Sequence, residues 1–277
     1  MSASVSLLQV ESLGMRFGGI QALADVSFEV AAGSITALIG PNGAGKTTVF
    51  NCVTGFYRPS SGHIRITREG RVQDLAALMA SRLNGGSHNI AQAGIARTFQ
   101  NIRLFKDMTV IENLLVAQHR RLNRNMLAGL FNTRSYRQAQ QQALDRALEW
   151  LDVVDLRACA NRLAGTLPYG HQRRVEIARA MCTQPQLICL DEPAAGLNPR
   201  ETEDLAALIQ RLRYDYAVTV FLIEHDMGLV MGISDHIVVL DYGRVIAAGT
   251  PAVIAESPAV IQAYLGVAED EHIEVAA

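Results

Sequence analysis

Apolar, β-branched runs recur at Val5–Val10, Val26–Val30, Ile35–Ile39, Leu187–Leu190, Val218–Ile223 and Ile237–Leu240, and each is of strand length. A different period governs Arg200–Arg213, where Leu205, Leu208, Ile209 and Leu212 fall on one helical face. Its start is marked as well: Asn198 can cap, Pro199 suits the first turn, and Glu201 completes a capping-box spacing. Thr109 and Glu112 repeat that spacing at the head of a stretch, Thr109 to about Leu156, that reads as almost wholly helical. Short strands divided by Gly and Ser turns fill the early chain. After Leu187 strands and helices alternate again, the pattern of a mostly parallel sheet covered on both faces. The prediction is an α/β core with an inserted helical lobe. Within the early part, Asp74 to Leu83 is helix-like, with Leu75, Leu78, Met79 and Leu83 on one stripe and Asn84-Gly85-Gly86 to end it.

A chain of 277 residues can bury a sizeable core. Its 49% hydrophobic and 19% charged residues exclude the disordered and collagen-like classes. A net charge of -2 argues against a nucleic-acid partner, because phosphate backbones recruit a marked basic excess. No apolar run approaches the roughly 18 residues that cross a bilayer; Ala217–Ile223 is strand-sized, and no basic patch precedes an apolar stretch at the start, so no secretory signal is expected. Cys52, Cys159, Cys182 and Cys189 form no C-x-x-C pair and have no His cluster at ligand spacing, which predicts reduced thiols of a cytosolic protein. Glu269 to Ala277 reads as a frayed acidic tail.

Chemistry enters at Gly40-Pro41-Asn42-Gly43-Ala44-Gly45-Lys46-Thr47-Thr48, which follows an apolar strand and precedes a helical segment. Glycines let successive N–H groups turn into one concavity, and the helix N-terminus adds positive potential there. Lys46 would reach the β- and γ-phosphates, and the Thr47 hydroxyl would ligate Mg²⁺. The strand Leu187–Leu190 then ends in Asp191 and Glu192, where Asp191 could hold Mg²⁺ and Glu192 could polarise an attacking water. An Asp-Glu pair alone is usually a solvated loop feature; the upstream phosphate loop gives it a function.

Leu167-Pro168-Tyr169-Gly170-His171-Gln172-Arg173-Arg174 opens a helix running to about Cys182. Here the chain resembles the ATP-binding cassette (ABC) family, whose LSGGQ signature opens a helix shortly before the strand ending in Asp-Glu. The resemblance implies a P-loop NTPase core with a mostly parallel sheet, an N-terminal antiparallel β portion and an inserted helical lobe. It places the nucleotide-binding core at 1–98 and 165–250, the lobe at 99–164 with the Gln100 loop at its start, and a C-terminal helical segment and tail at 251–277. It further implies two cassettes head to tail, each donating its signature, here Tyr169 and Gly170, to ATP held by the other. Gln100 matches the glutamine that senses Mg²⁺ and the attacking water, and His225 matches the switch histidine on the γ-phosphate. Phe17 matches the aromatic that stacks on adenine, and Ala195-Gly196-Leu197-Asn198 the loop crossing the dimer interface. Two positions depart from the pattern: Pro168 replaces Ser, removing a hydroxyl and an N–H, and Asn198 replaces Asp.

Finer motifs, Ile95-Ala96-Arg97-Thr98-Phe99-Gln100, Thr109–Leu114, Asp191–Pro199, Ile223–Met227 and Ala263-Tyr264-Leu265-Gly266, are similar to the ATPases of branched-chain amino-acid importers. This implies a peripheral subunit on the cytoplasmic face of the inner or plasma membrane, working with a second identical or homologous ATPase, two permeases and an extracytoplasmic solute-binding protein. Asn101 to Glu112 should line the groove that receives a permease helix. Arg120, Arg121 and Arg124 are either solvated or in contact with anionic headgroups. A urea or short-amide importer, a lipopolysaccharide exporter and a non-transport cassette protein share the nucleotide chemistry. A small-molecule kinase would use the phosphate loop but leave the signature unexplained.

Overall fold

Described residues of the computed structural model are 6–68, 70–80, 87–119 and 133–264. In chain order the elements are β1 (Ser6–Phe17), β2 (Ile20–Ala31), β3 (Ile35–Ile39), α1 (Lys46–Val53), β4 (Ser61–Arg68), β5 (Arg71–Asp74), α2 (Leu75–Met79), α3 (Ser87–Gln92), β6 (Ile95–Arg97) and α4 (Val110–Ala117). There follow α5 (Arg134–Val153), α6 (Tyr169–Met181), β7 (Leu187–Asp191), α7 (Pro199–Tyr214), β8 (Thr219–Ile223), α8 (Met227–Ile233), β9 (His236–Asp241), β10 (Arg244–Gly249) and α9 (Pro251–Ala255). Residues 258–264 are also helical.

β2-β1-β4-β5 form an antiparallel sheet; β10-β9-β3-β8-β7-β6 form a second sheet, parallel throughout except for β10. Every residue of β3, β7 and β8 is buried, which explains why these strands read as continuous apolar runs rather than alternating ones. Their faces still alternate: Ile35, Ala37, Ile39, Ile188 and Leu190 enter one apolar cluster, whereas Leu38, Leu187 and Cys189 enter another with Val49 and Phe50 of α1. The first cluster also holds Val110, Leu114, Ala147 and Leu151, so α4 and α5 share a continuous core with one face of the parallel sheet.

Both capping boxes form. Thr109 accepts from the Glu112 N–H and Asn198 from the Glu201 N–H, while each glutamate reaches back to the cap's own N–H. Parallel register, such as Ile35 opposite Val220 and Ile188 opposite Val220, carries the ends of β3, β7 and β8 to one edge. The next residues of each strand therefore converge there.

The segment after Gly70 departs from expectation. Arg71–Asp74 is a strand paired with β4, and the expected helix from Asp74 is confined to Leu75–Met79, followed by a turn at Ala80. Asp74 starts it by accepting from the N–H groups of Ala76 and Ala77, while Leu75 is buried. The proposed stop at Asn84-Gly85-Gly86 lies outside the described residues, as do Leu83, Arg120, Arg121, Arg124, Leu265-Gly266 and the acidic tail. Among the described residues no helix is long and apolar enough to cross a membrane.

Candidate active site

The loop between β3 and α1 is shaped by glycine. Gly45, at φ 102°, caps α1, and a Cβ there would lie 2.8 Å from Leu23 Cδ2 and 3.0 Å from the Ala22 carbonyl. A Cβ on Gly40 would collide with the Leu240 carbonyl. Both positions thus exclude a side chain while the loop stays pressed against its neighbours. Gly243 N–H donates to the Ala44 carbonyl at 3.0 Å, tying the loop to the β9–β10 turn. No acidic residue occupies the first turn of α1, so its positive end is left uncompensated by its own sequence. Lys46 Nζ lies over the loop, donating to the carbonyls of Gly40 at 2.7 Å and Pro41 at 2.9 Å. Partial burial pulls the Lys46 ammonium below its ordinary range, opposed by the charge of Glu192. Thr47 is exposed and Thr48 half-buried in the first turn, while Asn42 and Gly43 are exposed on the loop.

Asp191 ends β7, and Glu192 follows in the left-handed region at φ 44°, costly for a residue with a Cβ. Its N–H donates to the Ile223 carbonyl at 3.0 Å, which holds the turn against β8. Gln100 Nε2 donates to Glu192 Oε2 at 2.7 Å. Because a carboxylate only accepts, the amide nitrogen must face it, and the amide oxygen of Gln100 points elsewhere. His225 Nδ1 stands 3.8 Å from the same Glu192 oxygen, too far for a hydrogen bond, and its side chain is 66% exposed. Lys46, Gln100, Asp191, Glu192 and His225 are thus brought to one edge.

Phe17, at the end of β1, is exposed and meets Tyr57 edge-on with ring centroids 5.3 Å apart. Tyr169 and Gly170 open α6 behind Pro168, which caps it with no side-chain bond. Their neighbours come from the segment that follows β7: a Cβ on Gly196 would be 3.4 Å from the Tyr169 ring, and one on Gly170 would be 2.5 Å from Glu201 Oε1. A cavity of about 290 Å³ at the join of lobe and core is lined by Thr54, Phe56, Phe99, Ala117, Glu176 and Arg179 among others. None of residues 101–112 lines it. Asn113 anchors the 101–109 loop, accepting from the N–H of Phe105 and donating to its carbonyl.

Three supporting charges were not singled out from sequence. Arg97 Nη2 donates to Asp191 Oδ2 at 2.7 Å, and its Nη1 donates to Asn51 and Thr54. Phe50, Phe56 and Phe99 surround that guanidinium at 4.9–5.3 Å from their centroids. Glu224, buried after β8, accepts from the N–H groups of Ala194 and His225, shaping the turns behind Glu192 and His225. Burial pushes its carboxyl up, and those N–H groups pull the other way. Arg173 is the third, on α6. The available signal was a charge embedded in an apolar strand context, Arg97 between Ala96 and Thr98 and Glu224 directly after Ile223.

The candidate donors are oxygens: the Thr47 hydroxyl in the first turn of α1, the Asp191 carboxylate at the end of β7 and the Gln100 amide oxygen. Among the described residues no cluster of three His, Cys, Asp or Glu could hold a metal by itself. Few, hard donors fit Mg²⁺ that keeps water and phosphate oxygens as its other ligands.

The family profile described as ABC transporter matches residues 23–195, and one described as branched-chain amino acid ATP-binding cassette transporter matches 244–270. The chain is 56% identical over 260 residues to the high-affinity branched-chain amino acid transport ATP-binding protein BraF of Pseudomonas aeruginosa, covering 94% of this chain and 98% of the relative. It is 54% identical over 263 residues to the corresponding LivG protein of Escherichia coli, covering 95% and 99%. Its fold is similar to the crystal structure of the ADP conformation of an ATP-binding cassette of an ABC transporter, with TM-score 0.78 at 31% identity, covering 95% of this chain and 99% of the other.

Proposed function

Since the chain belongs to the ABC transporter family, we propose that it is the ATPase powering an importer of branched-chain amino acids and that it works as follows. The observation that carries the chemistry is the Gln100–Glu192 bond at the edge where the phosphate loop ends. Backbone N–H groups of Gly43 to Thr48 and the end of α1 would take the phosphates, with Lys46 exchanging its two carbonyl partners for phosphate oxygens. Phe17, already steadied by Tyr57, offers its open face to the base. Thr47, Asp191 and Gln100 would hold Mg²⁺, which when bound neutralises charge on the phosphate oxygens. Glu192 would polarise the attacking water, contributing on the order of 10²–10⁴ in rate; Gln100 fixes where its carboxylate points, and His225 would hydrogen-bond the γ-phosphate.

Tyr169 and Gly170 lie beside Gly196 and Glu201, and we assign them to the nucleotide of a second cassette, identical or homologous. Pro168 supplies no donor, so the positive end of α6 and the Gly170 N–H do that work. Two permeases, an extracytoplasmic binding protein and a peripheral place on the cytoplasmic membrane face complete the reading; the names of the relatives support the cargo. Reconstitution with the permeases in proteoliposomes tests it. Leucine-, isoleucine- or valine-loaded binding protein should stimulate ATP hydrolysis; stimulation by urea alone would overturn the assignment.

A further inference from the structure

Arg173 and Glu176 are 0% and 1% exposed on α6, a place where two apolar residues would serve the core. Arg173 Nη1 donates to the Phe99 carbonyl at 2.6 Å and to Glu176 Oε2 at 2.9 Å, while Nη2 donates to the Gln100 carbonyl at 2.7 Å. Glu176 Oε1 accepts the Arg103 N–H at 3.2 Å, so the pair grips the loop on both sides of Gln100. The same guanidinium reaches the Tyr169 hydroxyl at 3.3 Å, and the Tyr169 ring lies against Gly196. Glu176 also borders the 290 Å³ cavity. Buried ion pairs add little net stability over apolar replacements, yet a planar guanidinium fork is suited to fixing several acceptors in one geometry.

We propose that the Arg173–Glu176 pair is a positioning device that fastens the Gln100 loop to α6, so that the Gln100–Glu192 contact follows the movement of the helix this subunit offers to its partner. The site residues act as one body: α6 moves, the carbonyls of Phe99 and Gln100 move with it, and the Gln100 amide carries Glu192. A change in the cavity beside Glu176 reaches the carboxylate by the same route. This rests on the role given above to Gln100 and Glu192.

A double-mutant cycle in the full-length subunit tests it, with ATP turnover as readout and ATP affinity and melting temperature as controls. Arg173→Lys keeps a cation for Glu176, but one ammonium cannot reproduce the fork across two carbonyls. The expected result is kcat lowered about tenfold, KM for ATP within about twofold, and no further loss when Gln100→Ala is added, because residues acting as a unit are non-additive. Losses that multiply in the Gln100→Ala, Arg173→Lys pair would overturn the proposal while leaving the role of Gln100 intact. An unchanged kcat in Gln100→Ala alone would instead remove Gln100 from the site, and the device with it. Arg173→Met with Glu176→Gln removes both buried charges and supplies the same cycle if the lysine variant does not fold; failure of both to fold would show a pair that holds the fold rather than the loop.

Discussion

Replacing Arg97 by Met is the most quantitative perturbation the site allows. Its side chain is 10% exposed and that of Asp191 9%, so the change leaves a desolvated carboxylate without its cation. Breaking a buried pair from one side costs about 3–5 kcal/mol. Loss of the three ring contacts adds to this, although Met keeps much of the apolar packing against Phe50, Phe56 and Phe99. For a chain of this size each kcal/mol moves the melting temperature by about 2–4 °C, so a fall of roughly 6–20 °C is expected in a thermal scan at pH 7. Arg97→Met combined with Asp191→Leu removes both charges and should recover most of the loss, though not activity. A single variant as stable as wild type, or a double variant no more stable than the single, would refute the view that Arg97 neutralises Asp191.

Gly170→Ala should slow turnover severalfold, because its Cβ meets the Glu201 carboxylate that completes the Asn198 capping box; Glu201→Ala added to it separates steric from N–H effects in the same ATPase assay. Burial pushes the thiols of Cys52 and Cys182 up to about 12; with buried Cys189 they should resist alkylation at pH 7.5 in the native protein, while partly exposed Cys159 reacts, as mass spectrometry of modified peptides would show. The Thr109 hydroxyl and N–H hold the Glu112 carboxyl below its ordinary value. A depressed carboxyl stabilises above its unfolded pKa and loses that contribution as pH falls through the folded one, so amide exchange at the start of α4 should quicken in acid before that of β3.

Much of this was legible because it is local. The strand β3 with its phosphate loop, β7 with its two carboxylates and α7 with its capping box declare themselves in consecutive residues. β4, β5 and β10 did not, since edge and antiparallel strands such as Arg71–Asp74, with a mixed exposed and half-buried pattern, carry no continuous apolar signal. The site showed the same division. Gln100 and Glu192 can be named singly, but their 2.7 Å bond depends on β6 lying beside β7, a sheet order that spacing does not encode. Arg97 and Glu176 remained unread for a related reason: a charge in an apolar context signals a partner without saying which distant backbone or carboxylate it meets.

Uptake of radiolabelled leucine into proteoliposomes carrying the permeases and this subunit, with binding protein outside and ATP inside, is the most direct measurement of the central claim. Wild type should accumulate leucine as ATP is consumed, whereas Glu192→Gln should still bind ATP and accumulate almost none. Uptake at the wild-type rate by Glu192→Gln, or ATP consumption by wild type without any accumulation of leucine, isoleucine or valine, would contradict it.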